Sequence, residues 1–204
     1  VRAPVEQTMG DVYRIFYIHT PAAWVSYLAL GISLGASVVF LLKRDSKFDR
    51  IAEVSAVLGL VYGLVTIITG AVWSNVAWGV YWNWDPRQTT TLILWMAYLG
   101  YISLKFSIGN LEKRRSIGAV YNILAFSTIP LSYLSIMLWQ SLHPQIVTGS
   151  GISITTPMIE TLFLNLIAAS LIYFYLLRMM INVRSLEEKV EALVSAKGGA
   201  TLGA

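Results

Sequence analysis

Two histidines and a tryptophan-rich segment are the side chains of this sequence best suited to binding chemistry. The histidines are His19 and His143, the two that the 204 residues contain. Imidazole is neutral enough at physiological pH to ligate a metal, and one imidazole on each face of a porphyrin iron is a common arrangement. The pair is therefore a candidate set of axial heme ligands. The alternative is that both are ordinary amphipathic anchors at a membrane surface.

The tryptophan-rich segment comprises residues 73–88, of which 73–87 read WSNVAWGVYWNWDPR, and it contains four of the seven tryptophans. An aromatic belt at a membrane boundary would explain one or two of them. It would not explain Trp78, Trp82 and Trp84 in one connecting segment. Flat aromatic side chains offer a large apolar area at modest entropic cost, which suits a flat apolar macrocycle. The alternative is a purely structural aromatic plug.

Charged and turn-forming residues follow these tryptophans. Asp85 and Arg87 could pair with each other, or Arg87 could bind a heme propionate through two hydrogen bonds. Gly79, which follows Trp78, and the Asp85-Pro86 pair, which follows Trp84, each predict a tight turn. The segment thus combines an apolar platform with a cation suited to a carboxylate.

The elements that position these residues are predicted to be membrane-spanning helices. The chain is 56% hydrophobic and 13% charged, and its mean hydropathy is +0.63. A helix needs about 20 apolar residues to cross a bilayer. The absence of cysteine excludes disulfides and thiolate metal sites. We predict an all-α polytopic membrane protein with five spans, at residues 22–42, 51–72, 89–108, 117–139 and 158–181.

The distribution of basic residues predicts how these spans are oriented. Twelve of the 15 Lys and Arg residues fall on one side of the predicted spans, and Arg2, Arg14 and Arg87 fall on the other. The side richer in Lys and Arg is cytoplasmic. Both histidines and the tryptophan-rich segment are therefore expected on the outer side. Because the basic residues lie in short loops between spans, the net charge of +4 does not indicate nucleic-acid binding.

The whole chain, residues 1–204, is predicted to form a single transmembrane domain. Its outer parts are the tryptophan-rich segment and two histidine segments, residues 11–21 and 140–157. Residues 182–204 are predicted to form a cytoplasmic amphipathic tail. The tail places apolar residues at helical spacing, namely Leu186, Val190, Leu193 and Val194.

Three stretches of the sequence resemble one family of heme-handling proteins. Residues 78–89, WGVYWNWDPRQT, resemble the "WWD" signature shared by the CcmC, CcmF and CcsA proteins of cytochrome c biogenesis. The Arg and Thr after the Asp are similar to the CcmC version. The stretches YRIFYIHTPAAW (13–24) and LWQSLHPQ (138–145) resemble the two histidine segments of CcmC. The resemblance covers nearly the whole chain, with Gln88 in place of a common leucine.

The resemblance implies a site and an architecture. It implies that His19 and His143 are the axial ligands of heme b, iron protoporphyrin IX. It also implies six spans, so that one span is expected to precede the five predicted here. The residues implied to hold the porphyrin edge are Trp78, Gly79, Trp82, Trp84, Asp85 and Arg87.

The resemblance further implies a role in delivering heme rather than an enzymatic one. Such a protein presents heme on the outer, periplasmic side of the cytoplasmic membrane to a CcmE-like heme chaperone. Its partners are a CcmD-like small membrane protein, a CcmA–CcmB-like ABC transporter and membrane lipid, with no nucleic acid. Two alternatives stay open. A heme exporter subunit should show polar residues inside its spans, and a CcsA-like synthase core should have a larger outer domain.

Overall fold

The computed structural model describes residues 4, 10–144, 147–148, 151–152 and 154–201, with side chains omitted at 147–148, 151–152 and 195–201. A 3₁₀ turn, Asp11–Ile15, leads into the first of six helices. A two-residue antiparallel pairing, β1 (Val147–Thr148) with β2 (Gly151–Ile152), precedes the last helix. The helices are α1 (Phe16–Lys43), α2 (Ser46–Trp78), α3 (Pro86–Ser107), α4 (Leu111–Ala125), α5 (Thr128–Leu138) and α6 (Thr156–Thr201).

These helices confirm the prediction of a polytopic helical membrane protein. Within the described residues, four stretches are long and apolar enough to cross a membrane: Asp11–Lys43, Ser46–Trp78, Leu111–Leu138 and Thr156–Val194. The remaining helix, α3, has 22 residues and begins with a polar turn that includes Arg87. All five predicted spans therefore correspond to helical stretches.

Most of the helices extend past the predicted spans, and one span is interrupted. Helix α1 begins at Phe16 rather than near Ala22, so His19 lies inside it and Pro21 sits in its second turn. The predicted fourth span consists of α4 and α5, separated at Phe126 and Ser127. Pro130 explains this separation, because proline has no N–H to donate to the carbonyl four residues earlier.

Helices α1 and α2 form the centre of the bundle, and small polar side chains mediate much of their contact. The Ser26 hydroxyl donates to the Gly59 carbonyl at 2.8 Å, and the Ser33 hydroxyl donates to the Ala52 carbonyl at 2.6 Å. From α4, the buried Asn122 amide donates to the hydroxyls of Ser33 and Ser37 at 2.7 Å. Small residues allow close helix approach in membranes, and hydrogen bonds satisfy their polar groups there.

An ion network with a buried centre connects four helices at the end of the bundle where α1 ends and α2 begins. The ammonium of Lys105, a residue only 3% exposed, lies 2.7 Å from the Asp49 carboxylate and 2.8 Å from that of Glu53. Arg184 of α6 contacts Glu53 at 2.7 Å. Glu188 extends the network through contacts with Arg50 and Arg115. The histidines and the tryptophan-rich segment lie at the opposite end.

Candidate functional site

A large apolar cavity opens at the end of the bundle opposite the ion network. Its volume is about 590 Å³, within the range of roughly 300–1,000 Å³ typical of small-molecule sites. The 3₁₀ turn, helices α1, α2, α3 and α5, and the chain after α5 all contribute to its wall. Its aromatic lining consists of Tyr13, Phe16, Trp24, Tyr27, Trp73, Trp78, Trp82, Trp95 and Tyr133.

Both histidines line this cavity, although they come from distant parts of the chain. His19 lies near the start of α1, and His143 lies in the chain that follows α5. Their ring centroids are 6.3 Å apart and the ring planes are inclined by 46°. The structure therefore brings the predicted ligand pair together within one cavity.

His143 is held in place by Asp85. The hydroxyl of Ser141 donates to both carboxylate oxygens of Asp85 at 2.9 Å, and the Leu142 amide donates to one of them at 2.8 Å. Burial, followed by the positive charge of Arg87, lowers the pKa of His143 to about 4. The imidazole of His143 is consequently neutral at physiological pH, as a metal ligand must be.

The non-helical part of the tryptophan-rich segment is short, because helix caps define its two ends. Helix α2 continues through Trp78 and ends at Gly79, which has φ of 77° and donates its amide to the Asn75 carbonyl. Asp85 caps α3 by accepting from the Arg87 amide at 2.9 Å. Glycine is the usual residue at a left-handed C-cap and aspartate a favoured N-cap. The connection between the helices is therefore residues 79–85.

The tryptophans of this segment face two environments. Trp73, Trp78 and Trp82 line the cavity, whereas Trp84 is 70% exposed. The Trp84 ring packs edge-on against Trp82 with centroids 5.8 Å apart. Trp84 has a φ of 61°, a conformation that costs a bulky residue about 1–3 kcal/mol and tends to occur at functional sites. Trp82 and Trp84 together connect the cavity wall to the surface of the protein.

Arg87 is the cationic side chain of the cavity wall among the described residues. Its guanidinium donates to the Ser132 carbonyl at 3.0 Å and lies over the Tyr133 ring, 5.9 Å from the centroid. Its Nε atom is buried and makes no hydrogen bond. Asp85 accepts from the backbone amide of Arg87, and its carboxylate is directed to Ser141 and Leu142. A buried guanidinium donor without a partner suits an anionic ligand group.

The donor set fits heme better than a bare metal ion. Within the part of the chain that the structure describes, no three or more His, Cys, Asp or Glu side chains form a metal-binding group. Porphyrin supplies four iron ligands and leaves two axial positions. Two imidazoles that ligate one iron from opposite faces would have ring centroids about 6.2 Å apart, with about 2 Å for each metal–nitrogen bond and about 1.1 Å from each nitrogen to its ring centre. The observed centroid separation of 6.3 Å is close to that distance.

Several residues of the site were not among the predicted site residues. Thr69 Oγ1 lies 3.1 Å from His19 Nδ1, and Gly70 is packed against the same ring. Gln88 lines the cavity and hydrogen-bonds the Asn83 amide and the Ser74 hydroxyl, each at 3.2 Å. The signal that could have revealed the α2 wall is a stripe of small residues at helical spacing, formed by Gly63, Thr66 and Gly70.

Together, the fold and the cavity define an integral membrane protein with a paired-histidine, tryptophan-lined site at one end of a helical bundle. The chain belongs to the CcmC family, described as heme exporter protein C, whose family model matches residues 1–196. This finding confirms the family resemblance inferred from the WWD and histidine segments.

Individual relatives agree with this assignment. The chain is 28% identical over 193 residues to heme exporter protein C of Bradyrhizobium diazoefficiens, covering 94% of this chain and 73% of the relative. It is 30% identical to heme exporter protein C of Haemophilus influenzae, covering 91% and 76%. A ccmC-like mitochondrial protein of Marchantia polymorpha, named for cytochrome c biosynthesis, is 36% identical over 79% of this chain and 69% of the relative.

Proposed function

We propose that this protein binds heme between His19 and His143 and presents it to a CcmE-like heme chaperone during cytochrome c assembly. The observation that carries the proposal is the 6.3 Å separation of the two imidazoles in one cavity. The names of the relatives, which refer to heme export and cytochrome c biosynthesis, support the same role. The expected cofactor is heme b, and the expected location is the outer side of the cytoplasmic membrane.

Each part of the wall has a distinct task in this proposal. The two imidazoles ligate the iron, and the flat faces of Trp73, Trp78 and Trp82 exclude water from the porphyrin. The unpaired Nε of Arg87 makes this side chain the candidate partner of a propionate. When bound, heme is the cargo, and the residues around it bind, orient and shield it.

Presentation requires that part of the bound heme can be reached from outside. The exposed Trp84 ring and the adjacent Trp82 ring form a continuous aromatic path from the cavity to the surface. We assign this pair to the contact with the chaperone. A CcmD-like small protein and a CcmA–CcmB-like ABC transporter are the further partners that the family assignment suggests.

A transport role is the second candidate, because the bacterial relatives are named exporters. The packing beneath the cavity favours binding over conduction. A buried cluster that includes Leu60, Tyr98 and Tyr101 fills the bundle there. The most deeply buried polar groups, such as Asn122 and Ser55, hydrogen-bond neighbouring helices.

Heme transfer measured per molecule of membrane protein tests the presenting role. Trp82→Ala and Trp84→Ala remove aromatic area but keep both histidines, so each variant should form less covalent heme–chaperone adduct per membrane-resident protein. Trp139→Ala is the matched control, since Trp139 is 51% exposed and lies outside the cavity wall. A wild-type ratio in both loop variants would remove the presenting role from this segment. Such a ratio is also what results if the adduct falls only in proportion to the amount of membrane-resident protein.

A further inference from the structure

Helix α2 presents two residues to the ring of His19. Thr69 Oγ1 lies 3.1 Å from His19 Nδ1. The same hydroxyl donates to the Val65 carbonyl at 2.7 Å, within the helix. A carbonyl oxygen can only accept, and a hydroxyl has a single proton. With that proton directed to Val65, Thr69 is left to accept from His19, and we assign the ring proton of His19 to Nδ1.

The residue after Thr69 shapes the space for the same ring. A Cβ atom at Gly70 would lie 2.9 Å from Cε1 of His19 and 3.4 Å from Nδ1. A side chain at this position would therefore displace the imidazole from the α2 backbone. Gly70 allows the close approach that brings Nδ1 within hydrogen-bonding distance of Thr69.

We propose that Thr69 and Gly70 are positioning residues that fix the tautomer and ring placement of His19, leaving Nε2 as its ligating nitrogen. This inference rests on the proposed function and adds a role for α2 to it. A hydrogen bond from the distal ring nitrogen to an acceptor raises the basicity of the ligating nitrogen. A more basic ligand stabilises ferric iron more than ferrous iron, so Thr69 should lower the reduction potential of bound heme.

The tautomer can be measured without heme, because the chain contains only two histidines. The protein, labelled with ¹⁵N-histidine and freed of heme, should give a His19 signal with protonated Nδ1 and bare Nε2. The His143→Ala variant assigns that signal. Thr69→Val should shift His19 toward the Nε2-protonated tautomer, and Thr69→Ser should restore the original form. Thr161→Val is the matched control, since the Thr161 hydroxyl donates to the carbonyl four residues earlier, at 2.8 Å, away from the histidines.

Bound heme provides a second readout. Thr69→Val should move the midpoint potential to a more positive value and weaken heme binding by about 10-fold, while Thr69→Ser retains wild-type behaviour. Gly70→Ala should alter the electron paramagnetic resonance signature of the ferric heme. Gly35→Ala should not, because a Cβ at Gly35 would meet no atom within 4 Å.

The outcomes separate this inference from the proposed function. An unchanged His19 tautomer in Thr69→Val, or a wild-type protein with Nδ1 bare, would overturn the positioning role even if heme binds. An unchanged potential in Thr69→Val would also overturn it. If the tautomer shifts as expected but the wild-type protein binds no heme, the proposed function fails and the assignment of Thr69 to His19 stands.

Discussion

At the residue scale, Asp85 joins the two halves of the site. Its carboxylate accepts from the Arg87 amide at the start of α3 and from Ser141 and Leu142 beside His143. Hydrogen bonds to a charged group each contribute about 1.5–3 kcal/mol. Asp85 does not line the cavity, so we expect it to act on heme through His143.

Replacing Asp85 should therefore impair iron ligation without removing a ligand. In Asp85→Ala, the chain around His143 loses its anchor, and a fraction of the heme should become five-coordinate and high-spin. Ser141→Ala, which keeps the Leu142 contact, should give a smaller fraction. Absorption spectra of the purified variants measure the five-coordinate fraction of the heme in each variant. Asp11→Ala is the control, because the Asp11 carboxylate pairs with Arg14 and its side chain is 81% exposed. A fully six-coordinate spectrum in Asp85→Ala would contradict the anchoring role.

Residue types and motif resemblance nominated both histidines, Trp78, Trp82 and Arg87, all of which line the cavity. Trp24 and Trp95 also line it and were not nominated. Residue types and motif resemblance were not sufficient for the residues that hold these groups in place. Thr69 meets His19 across 50 positions of the chain, and Ser141 meets Asp85 across 56. Such contacts depend on how helices pack, and no local motif encodes them.

At the scale of elements, hydrophobic length located every span but not its ends. The caps at Gly79 and Asp85 decide where α2 and α3 stop and start. Helix α6 continues from its span to Thr201, through the stretch predicted as a helical tail. The ion network was beyond sequence reasoning, since Asp49, Lys105 and Arg184 look like separate loop and helix-end charges.

Removing one member of this network should destabilise the bundle. Lys105→Met removes the cation shared by the buried Asp49 and the partly buried Glu53. Breaking a buried ion pair from one side costs about 3–5 kcal/mol, and Arg184, which still contacts Glu53, offsets part of that cost. We expect a lower melting temperature in detergent than for Lys113→Met, whose site is exposed. The double variant Lys105→Met with Asp49→Asn should recover part of the loss. Equal melting temperatures for Lys105→Met and Lys113→Met would show that the network contributes little.

At the scale of the whole molecule, opposite ends of the bundle have different chemistry. One end contains the ion network and the other the aromatic cavity. The bias of basic residues predicts that the ion network faces the cytoplasm and the cavity faces outward.

Labelling of single cysteines tests this orientation, because the chain contains no cysteine of its own. Tyr81→Cys lies in the 79–85 connection at a residue that is 61% exposed, and Lys47→Cys lies near the start of α2. A membrane-impermeant thiol reagent on intact cells should label the first and spare the second, and permeabilised cells should allow both to react. If only Lys47→Cys is labelled in intact cells, the orientation of the protein in the membrane is the opposite of the predicted one.

The absorption spectrum of heme in the purified protein, with and without each histidine, tests the assignment of the iron ligands most directly. We expect the wild-type protein to contain low-spin, six-coordinate heme with two imidazole ligands. His19→Ala and His143→Ala should each lose most of that heme or convert it to a five-coordinate form, at unchanged protein abundance. If both variants keep the wild-type spectrum and heme content, His19 and His143 are not the iron ligands and the proposed site is wrong.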